Sequence, residues 1–359
     1  MSSNLLAITG IGSVSPYGSL AGLIPQSMVE PEPITAWPTV GLRRAFLVKP
    51  FRPASVVPGL KTRRLDRLSA WALVASSLAI QDSGIDLPQV DRSRIAVVFG
   101  TGFGCAELTE AFYQSALVNG WSGTDPSPFP EGLANSPASH VALWHGLRGP
   151  NITVGSRGVA GESALIQAAS LLRHGQADLA IVLAGDTLTR AIYEWYEAAG
   201  YLAPACYNPE PLLEGGDIVP GGFIPSEGVV AWVLEAAHRR EARAYAHFTS
   251  GRWASGGQPV EPIRQMLGGS VPSLVICAGS GSLCANGSTT ALAHELSGPN
   301  AASVPPRIAP PNAVAAGLAD TSALLHLILA LSSRPGAGQA LLLGTSGDRR
   351  FAAISLELP

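Results

Sequence analysis

Four cysteines, seven histidines and one short turn hold most of the residues that could do covalent or metal chemistry in this chain. Cys105, Cys206, Cys277 and Cys284 could be nucleophiles or zinc ligands, but their spacing fits no zinc pattern, and no histidine pair follows Cys277 and Cys284. Reduced, buried thiols are the plainer expectation. The histidines are scattered at 140, 145, 174, 238, 247, 294 and 326. His140 and His145 share a helical segment, but an i,i+5 spacing points them apart and suits chelation poorly. The turn Gly155-Ser156-Arg157-Gly158 resembles a nucleophile elbow only in part, because Val154 stands where its first glycine belongs. Arg157 and Glu162 flank Gly158 and could form a polar pair there or a solvated ion pair. Hydrolase and metal-enzyme readings find no support in this set, and no bound metal is expected. Gly279-Ser280-Gly281 lacks the strand–helix and acidic context of a nucleotide site, so no cofactor is expected.

The elements that must position these residues alternate. Leu5–Ile11, Ile95–Phe99, Asn151–Val154, Leu179–Ala184, Leu274–Ala278, Gln339–Leu343 and Phe351–Leu356 read as apolar strands. Arg67–Gln81 carries Leu68, Trp71, Ala75, Leu78 and Ala79 at helical spacing and stops at Gly84. Glu107–Leu117, Ala134–His145, Val159–Leu172, Thr289–Leu296 and a stretch near Ala319–Leu331 read as helices. Residues 13–59 and 204–220 read as irregular, and Gly222–Glu235 as two short strands. Apolar strands alternating with helices predict an α/β protein whose sheet is covered on both faces. The blocks 151–184 and 274–343 share a rhythm that suggests two related halves.

With 47% hydrophobic and only 14% charged residues, the chain has apolar material for a large core, a large subunit interface, or both. A net charge of −3 without long runs excludes a nucleic-acid footprint. No stretch reaches the roughly 20 uninterrupted apolar residues of a membrane span. Met1-Ser2-Ser3-Asn4 lacks the basic start of a signal peptide, so a cytoplasmic location is expected.

Six segments, in order, resemble the β-ketoacyl synthase family. They are Ile8-Thr9-Gly10-Ile11-Gly12-Ser13-Val14-Ser15-Pro16-Tyr17-Gly18, Leu65-Asp66-Arg67-Leu68-Ser69 with its helix to Gln81-Asp82-Ser83-Gly84, and Gly100-Thr101-Gly102. Then come Gly146 to Val154 (GLRGPNITV), His174-Gly175-Gln176-Ala177-Asp178, and Gly222 to Gly228 leading on to Val233-Leu234-Glu235. The C-terminal third matches less well and looks shortened. The resemblance implies a thiolase-like fold: two pseudo-equivalent halves, here 1–240 and 241–359, each a five-stranded sheet packed on helices, together a five-layer αβαβα sandwich.

A condensing member of that family holds the acyl chain on a cysteine at a buried helix N-terminus, where backbone N–H groups favour the thiolate. Two histidines stabilise charge as CO₂ leaves. Carried over residue by residue, the cysteine position falls on Gly158, the first histidine on Gly279 and the second near Asn312. The family's lysine corresponds to Arg307, and its glycine-rich gate to Gly344-Thr345-Ser346-Gly347 without the phenylalanine. No catalytic residue is therefore expected; the three positions are vestigial.

The family includes such an inactive class, the chain length factors, which pair with an active ketosynthase and shape the tunnel for the growing chain. They often carry glutamine where this chain has Gly158. The resemblance thus implies a non-catalytic subunit in a heterodimer with an active ketosynthase, served by an acyl carrier protein bearing a phosphopantetheine-bound acyl chain. The helix after Gly100-Thr101-Gly102 resembles the tunnel helix, with Leu108, Thr109, Phe112, Tyr113 and Ala116 along one mostly apolar face. Leu108 and Phe112 are expected to line the tunnel beside Thr109, with Ala116 leaving space, and Trp121, Phe129 and Leu133 to extend the interface. Two alternatives stay open: an active acyltransferase or condensing enzyme using other residues, and a stand-alone module binding acyl groups or carrier protein.

Overall fold

Each apolar strand run divides its side chains between two different cores, and this division builds the molecule. The computed structural model describes residues 5–24, 32–35, 37, 44–202, 224–239, 243–255, 260–278, 307–309, 327–328, 331–332, 336–345 and 350–359. The first half comprises β1 (Leu6–Ser15), β2 (Gly18–Ala21), the short pair β3 (Glu32–Pro33) and β4 (Arg44–Ala45), α1 (Pro53–Val56), α2 (Arg67–Ser83), β5 (Ile95–Thr101), α3 (Ala106–Asn119), α4 (Ser136–His145), β6 (Asn151–Gly155), α5 (Ala160–Arg173), β7 (Leu179–Asp186), α6 (Arg190–Ala198) and β8 (Gly228–Ala236). The second comprises β9 (Ala246–Ser255), α7 (Val260–Leu267), β10 (Leu274–Ala278), β11 (Arg307–Ala309), β12 (Gly338–Thr345) and β13 (Arg350–Leu358).

The strand order is β6-β5-β7-β8-β1, then β9-β13-β12-β10-β11. The two runs have the same topology. In each, two parallel pairings sit at the outer end and two antiparallel pairings follow inward. They meet where Leu6–Ile8 of β1 pairs with Ala246–Phe248 of β9.

Ile95, Val97 and Phe99, with Leu179, Ile181 and Leu183, turn to one face and pack with α2 and α4. Ala96 and Val98, with Ala180 and Val182, turn to the other and pack with Ala164, Leu165 and Ala168 of α5. That inner core also takes Leu342 and Ile354 of the second half and Leu327, Ile328 and Leu331. The outer face of the second half, Val275, Leu341, Leu343 and Phe351, is covered by Val260 and Ile263 of α7. Helix, sheet, helix, sheet, helix: these are the five layers of the expected thiolase-like sandwich.

The structure differs from the sequence reading at β1, at β8 and where α6 and α7 lie. The strand expected at 5–11 runs on to Ser15 and turns through Pro16-Tyr17 into β2, because Ser13 and Ser15 are buried within the sheet rather than looped out. The two short strands expected in Gly222–Glu235 are one, β8. Glu227, just before it, is buried and bound to backbone N–H groups, and everything from Gly228 to Glu235 is buried in register with β1 and β7. Helices α6 and α7 lie where no element was assigned. The helix expected at Thr289–Leu296 lies outside the described residues; of the one near Ala319–Leu331, residues 327–328 and 331 are helical.

Candidate functional site

A glycine with a left-handed backbone sits where the chain turns from β6 into α5. β6 ends at Gly155, the Val159 N–H donates to the Ser156 carbonyl at 3.1 Å, and Gly158 is buried with φ +83°. Any L side chain there would strain the backbone by about 1–3 kcal/mol. The first turn of α5 lies directly on β5: a Cβ on Gly100 would overlap the Ala160 carbonyl. The turn thus places residue 158 at the buried N-terminus of a 14-residue helix, where N–H groups would favour an anion. Residue 158 has no side chain to offer.

The polar neighbours of this turn point in different directions. Arg350, at the start of β13, donates from Nη1 to Ser156 Oγ at 3.1 Å. Arg157 turns outward, its guanidinium 4.8 Å from the Phe103 ring centroid and 5.2 Å from that of Trp195. Glu162 turns inward and is 1% exposed; its Oε1 finds no hydrogen-bond partner among the described residues. Burial pushes its carboxyl up to about 8, against the opposing effect of a hydrogen bond from its own backbone N–H. The polar pair considered for Arg157 and Glu162 does not form.

β5 leaves this region through Thr101–Phe103, and Asp186 at the end of β7 holds that exit. Asp186 accepts from Thr101 Oγ1 at 2.6 Å, Gly102 N at 3.0 Å and Phe103 N at 2.9 Å. Burial pushes its carboxyl up to about 6, opposed by these hydrogen bonds. Helix α3 follows. Asp66 accepts from Leu68 N at 2.9 Å and Leu108 N at 3.1 Å, so one buried carboxyl holds the first turns of α2 and α3 together. Arg67 pairs with Glu107 of α3 at 2.6 Å and with buried Glu227 at 2.8 Å. Glu227 in turn accepts from Val48 N and Leu188 N. Glu110 accepts from Thr189 Oγ1, which ties α3 to the start of α6.

Sequence reasoning missed these anchors, although a signal was present. Asp66-Arg67 is an adjacent charge pair before an apolar helix, and Asp186 ends an otherwise apolar strand. In a chain with 14% charged residues, charges placed there mark anchors.

On α3, Leu108, Thr109 and Phe112 are half-buried and Ala116 is buried. Thr109 Oγ1 donates to the Gly132 carbonyl at 3.0 Å. Phe112 sits among Tyr113, Trp121 and Phe129, with ring centroids 5.6–6.4 Å away. Beyond this cluster the surface is apolar: Leu117 is 86% exposed, Val118 82% and Trp121 71%. The four expected tunnel residues therefore share one helix, pinned at its start, beside a large exposed apolar patch.

Gly279 and Asn312 lie outside the described residues, as do Cys206, Cys284, His294, His326 and Gly347. Cys105 is buried, and burial pushes its thiol well above the usual range, so it is inert. His140 and His145 do face apart: His140 bonds Glu131 at 2.6 Å, and His145 bonds Ser76 Oγ at 3.1 Å. Burial, with Arg92 nearby, holds His145 down to about 4. No group of three or more His, Cys, Asp or Glu among the described residues could hold a metal ion, and no described helix is long and apolar enough to cross a membrane.

Residues 26–240 match the family model for the β-ketoacyl synthase N-terminal domain. Among similar sequences, 3-oxoacyl-[acyl-carrier-protein] synthase 2 of Vibrio cholerae serotype O1 is 27% identical over 253 residues, covering 68% of this chain and 60% of the relative. The Coxiella burnetii protein of that name is 28% identical over 260 residues, covering 68% and 62%. Nodulation protein E of Rhizobium leguminosarum bv. trifolii is 28% identical over 249 residues, covering 66% and 59%. The match thus spans about three-fifths of each relative's length. Among solved structures, the ishigamide ketosynthase/chain length factor superposes with a TM-score of 0.83 at 16% identity, covering 99% of this chain and 100% of that one. A β-ketoacyl synthase from Burkholderia phymatum gives 0.72 at 16% identity, covering 100% of both. A type II PKS acyl-carrier protein in complex with its ketosynthase gives 0.77 at 17%, covering 99% and 100%. At these identities the structural likeness bears on the fold.

Proposed function

The chain belongs to the β-ketoacyl synthase family, and from that premise we propose that it is a non-condensing subunit of the chain length factor type. In this reading it pairs in the cytoplasm with an active ketosynthase, which supplies the cysteine and histidines. Its own α3 helps to shape the tunnel that receives the growing acyl chain from a phosphopantetheine-bearing carrier protein.

One observation carries the proposal: Gly158. A condensing enzyme must form a thioester at the last residue of the strand–turn–helix junction, and residue 158 of this chain brings neither sulfur nor hydroxyl. The nearest hydroxyl, Ser156, accepts from Arg350 and has no histidine bonded to it among the described residues. Cys105, buried and with its thiol pushed up, is not an alternative.

The partner is supported by surface. Tyr113, Leu117, Val118 and Trp121, with Phe129, Leu143 and Trp144, are exposed on and around α3 and α4. Of these, Tyr113, Trp121 and Phe129 cluster around Phe112, the kind of exposed apolar grouping that an interaction site presents. The outer edge of β6 has no neighbouring strand among the described residues, and its end residues Asn151 and Gly155 are exposed. The fold is one that a ketosynthase/chain length factor and a β-ketoacyl synthase both share over nearly the whole chain.

The experiment is co-expression with an intact Cys-His-His ketosynthase and a carrier protein, followed by purification and product analysis. The proposal expects a stable one-to-one complex that makes a chain of defined length. A chain that stays unassociated, or that extends acyl groups without the partner, would overturn it.

A further inference from the structure

Glu162 has no task in the reading above, yet it is the most deeply placed carboxyl beside the empty position. It lies in the first turn of α5, four residues after Gly158, and is 1% exposed. Across from it is Gly344 of β12, in the segment that resembles the family's gate. A Cβ built on Gly344 would overlap Glu162 Oε1 and would lie 3.3 Å from Val159 Cγ1. Carboxyl, valine and glycine backbone are thus in closest packing, and only glycine at 344 leaves room for the acid.

The N-cap of α5, Val159, has no side chain that can cap the helix, and Glu162 accepts from its own first-turn N–H, which accounts for one end of its carboxyl but not for Oε1. Among the described residues its Oε1 has no partner, which costs stability rather than adding to it. This carboxyl lies in the first turn after the residue that corresponds to the family's cysteine, packed against β12.

We infer that Glu162 is a plug, closing the vestigial pocket between Gly158 and β12 so that no acyl group can enter it. The inference rests on the non-condensing reading and adds to it. The chain is then not merely unable to react with an acyl group but shaped to refuse one, leaving the α3 side as the route for the growing chain.

A photolabel tests this without requiring acyl transfer, so its outcome is separable from that of the parent proposal. The purified full chain is irradiated with a diazirine-bearing octanoyl-N-acetylcysteamine thioester, and the label is mapped by peptide mass spectrometry. Wild type and Glu162→Gln, which keeps the volume, should show no saturable label on 156–163 or 338–345. Glu162→Ala and Glu162→Ser, which open it, should gain at least tenfold there. Equal labelling of wild type and the smaller variants, or no gain in folded smaller variants, overturns the plug. So does labelling of wild type that Glu162→Ala removes, since the carboxyl would then be a ligand for the acyl group. Wild type alone gives a second arm. With carbodiimide and glycine ethyl ester, Glu162 should react at least tenfold more slowly than Glu194, whose side chain is 45% exposed. Comparable rates would show an open pocket and overturn the inference even if neither smaller variant folds.

Discussion

In the proposed reading residue 158 sets what this chain can do, and residue 162 shows what burial of a carboxyl costs. A carboxyl whose folded-state pKa is raised from 4.5 to about 8 binds its proton more tightly in the folded than in the unfolded chain. The stability this contributes is complete below pH 4.5, falls as pH rises toward 8, and is absent above it. Glu162→Gln should remove that slope. The variant should match wild type near pH 4 and exceed it by a few kcal/mol, on the order of 1.4 kcal/mol per pH unit traversed, at pH 7–8. Urea unfolding of both proteins from pH 4 to 9 checks this; parallel curves would mean that the carboxyl is solvated or paired. The sequence made Gly158 readable because the strand before it and the helix after it fix the register. It did not separate Arg157 from Glu162, since both are charged residues beside one glycine. Only packing shows that one leans on Phe103 and Trp195 while the other is sealed beneath Gly344.

At the scale of the element, α3 is the part whose position matters, and it is held from its N-terminal end. Asp66, Arg67 and Glu110 fix its first turns, while its last turns carry exposed Leu117 and Val118. Asp66→Ala removes two bonds to helix N-terminal N–H groups and should destabilise the fold by about 2–4 kcal/mol. Asp66→Asn, which keeps an acceptor, should cost less; thermal unfolding of the two variants separates them. Phe112→Ala should lengthen the products of the paired enzyme with the complex intact, because it removes the centre of the aromatic cluster. Unchanged product length would count against a tunnel wall on this face. Strands β5, β6 and β7 and helices α2 and α5 were legible because runs such as IAVVF and LAIVLA are unbroken and glycines close them. Helix α6 was not: its apolar face is only Ile192, Tyr193 and Tyr196, between charged Arg190, Glu194 and Glu197, in nine residues. Nor was the full length of β1, whose Ser13 and Ser15 look like loop residues until they are seen inside the sheet.

Across the whole molecule, two halves of like strand order share the α5 layer, and the first half exposes a broad apolar surface. Low charge content forecast a large buried area but could not apportion it between core and interface; the exposure of Leu117, Val118 and Trp121 assigns part of it to the surface. Leu117→Glu with Trp121→Ser should leave unfolding of the isolated chain within about 0.5 kcal/mol, as surface changes do. The same pair should break association with the ketosynthase in size-exclusion chromatography; an intact complex would place the partner elsewhere. The central claim is that this family member cannot hold an acyl chain covalently, and it meets its most direct test in intact-protein mass spectrometry. Incubated alone with acyl-loaded carrier protein, the chain should keep its unmodified mass and release no elongated product. An added acyl mass on this chain, carried forward into a longer product without any partner, would contradict the account.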